Sequence, residues 1–183
     1  MVIQADSAAL QPQVKRDAAG FLSCGVRGVV VTSDNQYMDA YDFSVMINGD
    51  MPYGTLKAGK ARGLVKDALK GNFPSKIVMP PPVSFWVAQE GEGKAATPIK
   101  VFPSESKGYI LEFSELGVTY QALLAMISGD RMQFAVRYKT QPVDVVVSFS
   151  AAMQEVEREP LLKCMDAVME RLAKSLEQPV VKK

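Results

Sequence analysis

Apolar and polar residues alternate with a period of two in several stretches of the chain, the mark of strands with one dry and one wet face. Tyr41, Phe43, Val45 and Ile47 alternate with Asp42, Ser44 and Met46. Val83, Phe85 and Val87 alternate with Ser84, Trp86 and Ala88, and Tyr109, Leu111 and Phe113 with Ile110 and Glu112. Met132, Phe134, Val136 and Tyr138 repeat the pattern, as do Val143, Val145, Val147 and Phe149. The β-branched run Val29-Val30-Val31 predicts one more strand, and Asp34-Asn35 and Asn48-Gly49-Asp50 carry turn chemistry.

Helical spacing is confined to four places. Val14, Ala18, Phe21 and Leu22 predict a short helix ending near Cys24, and residues 61–70 (ARGLVKDALK) an amphipathic helix stopped by Gly71. Thr119 is placed to cap a helix over 120–127, stopped at Ser128-Gly129-Asp130. A last helix is predicted from Glu159-Pro160, with Leu161, Met165, Val168, Leu172 and Leu176 as its apolar stripe. Pro80-Pro81-Pro82 reads as an extended connector and Glu90–Lys94 as a loop. Strands that keep a polar face belong to antiparallel sheets. The expected fold is therefore α+β: an antiparallel sheet or sandwich with a docked C-terminal helix and two or three shorter helices. It is expected as a single domain over residues 14–177, between a flexible N-terminal segment (1–13) and a flexible tail (178–183).

Composition narrows the chemistry. Hydrophobic residues make up 48% and charged residues 22% of 183, the balance of a folded chain. Lys plus Arg is 21 against 20 for Asp plus Glu, so there is no overall field to recruit nucleic acid, and no nucleic-acid partner is expected. The chain has no histidine, which removes Ser-His-Asp and Cys-His machinery, and two cysteines cannot supply a tetrahedral thiolate zinc site. No cofactor or metal is expected. Cys24 and Cys164 are either two unrelated buried thiols or a head-to-tail bridge. Their placement, one near the start and one on the closing helix, favours the bridge, which would stabilise the fold by roughly 5 kcal/mol. No stretch reaches about 18 uninterrupted apolar residues, so no membrane-crossing helix is predicted. The small, polar, Ala-rich start reads as the mature N-terminus of an exported chain whose leader has been removed.

Gly54-Thr55-Leu56-Lys57-Ala58-Gly59-Lys60-Ala61 satisfies G-x-x-x-x-G-K, but Ala61 stands where a phosphate-binding loop needs Ser or Thr. It reads instead as a glycine-rich loop feeding a basic helix. Lys57, Lys60, Arg62, Lys66 and Lys70, continued by Lys76, face only Asp67 in that interval and form either a partner-docking patch or a solvated face. Trp86, on the polar side of its strand, is either a plug in a second core layer or a contact residue. Glu90 and Glu92 read as solvated loop acids rather than a glycosidase pair, and the acids of residues 34–50 lack calcium-loop spacing.

The C-terminal half runs from VSFWVAQEGEG through GYILEFSELG and YQALLAMISGDRMQFAVRY to a valine-rich strand and a helix containing PLLKCMDAV. Over about residues 83–170 this order resembles the small exported bacterial domains of the invasion-associated locus B type and similar secretion-system accessory proteins. The resemblance implies a β-sandwich closed by a cysteine on a late helix, a periplasmic or envelope location, and a non-catalytic binding or assembly role. It carries over Cys24 and Cys164 as a structural pair. The expected function is a non-catalytic exported domain that binds a protein partner, with homo-oligomers allowed. A small carboxylate-dependent enzyme, and a cytosolic regulatory or nucleotide-binding domain using the Gly54–Lys60 loop, are the alternatives.

Overall fold

A computed structural model describes residues 2–65, 77–91, 98–141 and 143–177. The alternating segments pair into two sheets. The larger has the order β2 (Ser7–Asp17), β3 (Gly20–Ser33), β4 (Tyr37–Asn48), β5 (Met51–Leu64), β9 (Tyr109–Glu115) and β8 (Pro98–Pro103), and β6 (Ile77–Val78) also pairs with β5. The smaller has the order β1 (Val2–Gln4), β11 (Val145–Phe149), β10 (Met132–Arg137) and β7 (Ser84–Gln89). β1 runs parallel to β11, and the other pairs are antiparallel. Among the described residues two long helices, α1 (Leu116–Ser128) and α2 (Glu155–Glu177), complete an α+β sandwich.

The register of the large sheet sorts its residues onto two faces. Cys24, Val26 and Val30 of β3, Tyr41, Phe43, Val45 and Ile47 of β4, and Leu56 and Ala58 of β5 lie on one face and are buried. Against them the small sheet packs Phe85, Phe134 and Phe149, whose rings approach Phe43 with centroids 5.5–5.8 Å away. Tilted aromatic pairs at this range contribute beyond their buried area. The crossing of Phe43 over β3 requires Gly28: a Cβ there would lie 2.3 Å from the Phe43 ring.

Both helices cover this same inner face. α1 lies across Gly54, where a Cβ would come within 1.9 Å of Thr119 Oγ1. It ends at Gly129 in the left-handed conformation (φ 81°), the cap that glycine adopts at least cost. α2 buries Leu161, Cys164, Met165, Val168 and Leu172. Cys164 forms a disulfide with Cys24, with Cα atoms 5.9 Å apart, so the closing helix is fastened to β3 across 140 residues. Two turns further on, Arg171 reaches the two hairpin ends of the sheet, donating to Asp17 (3.1 Å) and to Asp50 (2.8 Å).

Several expectations are corrected. Residues 1–13 are not a loose segment: they contain β1 and most of β2, held by backbone ladders although Leu10 alone of the β2 side chains is buried. Residues 14–24 are not helical. Asp17 accepts the Ala19 N–H (2.9 Å) and Gly20 has φ 120°, which closes a β2–β3 hairpin instead. Residues 54–60 are not a loop but the interior of β5, residues 61–64 extend that strand, Val65 is helical, and residues 66–70 of the predicted helix lie outside the described residues. Thr119 does not cap α1 but sits in its first turn, its hydroxyl donating to the Glu115 carbonyl (2.9 Å). α2 starts at Glu155, which places Pro160 inside it. The tail 178–183 also lies outside the described residues.

One ionisable group sits in the seam between the sheets. Glu112, on the inner face of β9, is 0% exposed. Its Oε1 accepts the Phe85 N–H (3.0 Å) on the free edge of β7, while Oε2 has no partner among the described residues. Burial pushes the carboxyl up to about 7, against the Phe85 N–H and the Ser84 hydroxyl that favour the ionised form. An acid whose pKa is raised on folding costs nothing below its unfolded pKa and costs progressively more as pH rises to the folded one. The wild-type chain is therefore expected to lose about 3 kcal/mol between pH 4.5 and pH 8 at this site. Urea titrations across that range should show Glu112→Gln removing most of the slope. An unchanged slope would mean that the carboxyl titrates normally. In the same assay Cys164→Ser is expected to lose about 5 kcal/mol, the chain-entropy value for so long a loop.

Candidate functional site

The two outward faces of the sandwich differ in chemistry. On the small sheet the polar groups are mutually satisfied. Glu90 pairs with Arg131 (2.5 Å) and accepts from Gln133 (3.0 Å), and Arg137 grips Asp144 through two contacts (2.6 and 3.1 Å). Trp86 is half-buried on this face beside Asp144, whose carboxyl is held below its usual range chiefly by Arg137 and least by the indole. Glu90 is likewise engaged, and Glu92 lies outside the described residues.

The outward face of the large sheet is covered by neither helix nor small sheet among the described residues. It holds an open groove of about 630 Å³ whose lining includes Lys15, Arg27, Asp42, Met46, Lys57 and Tyr109. A network crosses four strands along one side. Arg27 on β3 contacts Asp42 on β4 through Nε (2.8 Å) and a terminal nitrogen (2.7 Å), and the Tyr109 hydroxyl on β9 donates to the same carboxylate (2.7 Å). Tyr109 spans β5 because Gly59 lies beneath it: a Cβ there would meet the ring at 2.7 Å. Lys57 rests over the Tyr109 ring (5.2 Å) and donates to Ser106 (2.8 Å). Burial pushes the Asp42 carboxyl upward, but Arg27 and Tyr109 outweigh it and hold it below its usual range. Burial, then Asp42, pushes Tyr109 up to about 12. Neither Lys15 nor Lys57 has a carboxylate within ion-pair reach among the described residues.

The groove continues into an aromatic strip on the same face. Tyr53 and Phe113 stack with centroids 5.9 Å apart, and Phe102 meets Phe113 edge-on at 5.0 Å. Aromatic, Met and Arg side chains with few acids are the composition of protein contact surfaces. Strand addition is blocked at both edges of this sheet. β2 carries Pro12 and exposed Lys15 and Arg16, and β8 carries Pro98 and Pro103, devices that blunt open edges. The face, not the edge, is what this sheet offers.

The basic cluster predicted as one patch is divided. Side chains alternate along β5, so Lys57 points outward while Lys60 and Arg62 point inward. Lys66, Lys70 and Lys76 lie outside the described residues. Lys60, its side chain 6% exposed, pairs with Asp39 (2.7 Å) between the rings of Tyr41 (5.2 Å) and Tyr138 (5.8 Å), and Arg62 binds the same carboxylate (2.7 Å). Burial pushes Asp39 upward, but Arg62 and Lys60 hold it ionised and below its usual range. Burial pushes Lys60 down despite Asp39. This is an internal ion cluster, not a docking patch. Arg27, Asp42 and Tyr109, which no sequence pattern marks as a site, are far apart in the chain and meet only through strand register.

A second, smaller groove of about 320 Å³ lies between β7 and the start of α1, lined by Val87, Gln89, Glu115, Val118 and Gln121. Among the described residues no group of His, Cys, Asp or Glu could hold a metal ion, and no helix is long and apolar enough to cross a membrane. No family model matches the chain, and no curated protein or solved structure is similar enough to count as a relative.

Removing Asp39 strands a buried ammonium, which typically costs 3–5 kcal/mol. Asp39→Ala is expected to destabilise the chain by about that amount, and adding Lys60→Met should recover part of the loss. Urea denaturation of the single and double variants measures both. Near-zero loss for Asp39→Ala would place Lys60 in solvent.

Proposed function

We infer that this chain is a non-catalytic, exported domain that binds a protein partner through the outward face of its large sheet. The observation that carries the reading is the uncovered groove, where Lys15, Arg27 and Lys57 stand against the single carboxylate of Asp42 beside an aromatic strip. Open faces with an amphipathic lining of this kind favour macromolecular contact over enclosure of a small substrate. The buried Cys24–Cys164 bridge supports export, because such bonds persist in oxidising compartments. The pattern likeness of residues 83–170 to exported invasion-associated locus B domains points the same way. The nucleotide alternative has lost its premise, since a phosphate cradle needs a loop opening a helix and Gly54–Lys60 is the interior of a strand.

Two measurements test this reading. Alkylation of intact cells of the native host before lysis should find no free thiol in the chain, and two labelled cysteines would contradict export. A photo-crosslinking residue at Thr55, on the grooved face, should trap a protein partner that the same residue at Gln133, on the small-sheet face, does not. Equal yields at both positions, or none at Thr55, would remove the docking face.

A further inference from the structure

The groove in the docking face is lined by two unpaired lysines. Strand register puts Lys57 in the row of Arg27 and Ser44, sets Gln13, Met46 and Thr55 in the next row, and places Lys15 with Ser23 in the row beyond. Lys15 and Lys57 are thus three strands and two rows apart, about 20 Å at ordinary strand spacing and rise, which is the reach of about six extended residues. Among the cations that line the groove, Arg27 is already neutralised by Asp42, so the groove's spare positive charge rests on these two primary amines, with a thioether and hydrogen-bonding side chains between them.

Several aromatic faces on this side are already occupied within the chain. One side of the Tyr109 ring covers Gly59 and Lys57 lies over it, and Tyr53 and Phe113 stack on each other. We propose that the groove takes a linear acidic segment of the protein partner, laid across the strands, with two carboxylates about six residues apart pairing with Lys15 and Lys57. The proposal rests on the outward face being the docking face. It adds the chemistry of what docks there.

The probe is a fluorescein-labelled seven-residue peptide with glutamate at both ends and leucine and threonine between, followed by anisotropy with the full chain at low salt. Saturable binding is expected, weakened about tenfold by Lys15→Gln or Lys57→Gln and lost as salt rises. The glutamine-ended peptide should not bind, and Lys163→Gln, on the exposed side of α2, should leave affinity unchanged. Absence of binding, equal weakening by Lys163→Gln, or displacement by hexathymidylate at equal or lower concentration would each overturn the proposal, the last by assigning the groove to nucleic acid. If the peptide fails while the Thr55 crosslink persists, the acidic segment is wrong and the docking face stands. If both fail, the docking face falls as well.

Discussion

Burial of one face of the large sheet is the constraint on which the rest of the structure depends. Strands of 12–14 residues present two long faces, and the small sheet, α1 and α2 all cover the same one. The inner face takes the aromatic cluster around Phe43, the Gly54–Thr119 contact and the disulfide. Apolar burial of this kind supplies most of the favourable free energy of folding. Sulfur and the Arg171 ion pairs then fix where the closing helix sits. Nothing comparable covers the opposite face among the described residues.

One-sided cover also separates two kinds of charge. Where charged groups fall on the inner face, they are paired or compensated, as Asp39, Lys60 and Arg62 are, with the protonatable Glu112 standing alone. On the outward face Arg27, Asp42 and Tyr109 form a braced lattice along the groove, and the two lysines that line it remain without carboxylates. The braced part gives shape; the unpaired part gives the surface its polarity. Long-range charge of this sort governs encounter and partner choice more than fold stability.

Much of the architecture was legible because half-buried strands write their burial into a period of two. Tyr41–Ile47 and Met132–Arg137 were readable for that reason, and the bridge was readable from the placement of two cysteines at opposite ends of the chain. β9 alternates as its sequence does but with its faces reversed: Ile110, Glu112 and Ser114 are buried, while Tyr109, Leu111 and Phe113 face outward. β5 was not legible, because Leu56 is the one large apolar residue among its inner positions, the others being Gly54, Ala58, Lys60 and Arg62. The glycines there make room for Thr119 and Tyr109, and both neighbours arrive from distant parts of the chain. β2 escaped notice because its ladder to β3, not its own side chains, holds it. The groove was illegible for the same physical reason: Arg27, Asp42, Lys57 and Tyr109 belong to four strands, and only their pairing brings them together.

The most direct test of this account uses two neighbours in β5. Thr55 faces outward and Leu56, 0% exposed, faces the core. Thr55→Cys should react with maleimide in the native chain at close to the rate of an exposed thiol, whereas Leu56→Cys should react only after unfolding. Equal rapid labelling of both would mean that residues 54–60 form a loop after all, and protection of both would mean that the outward face is covered.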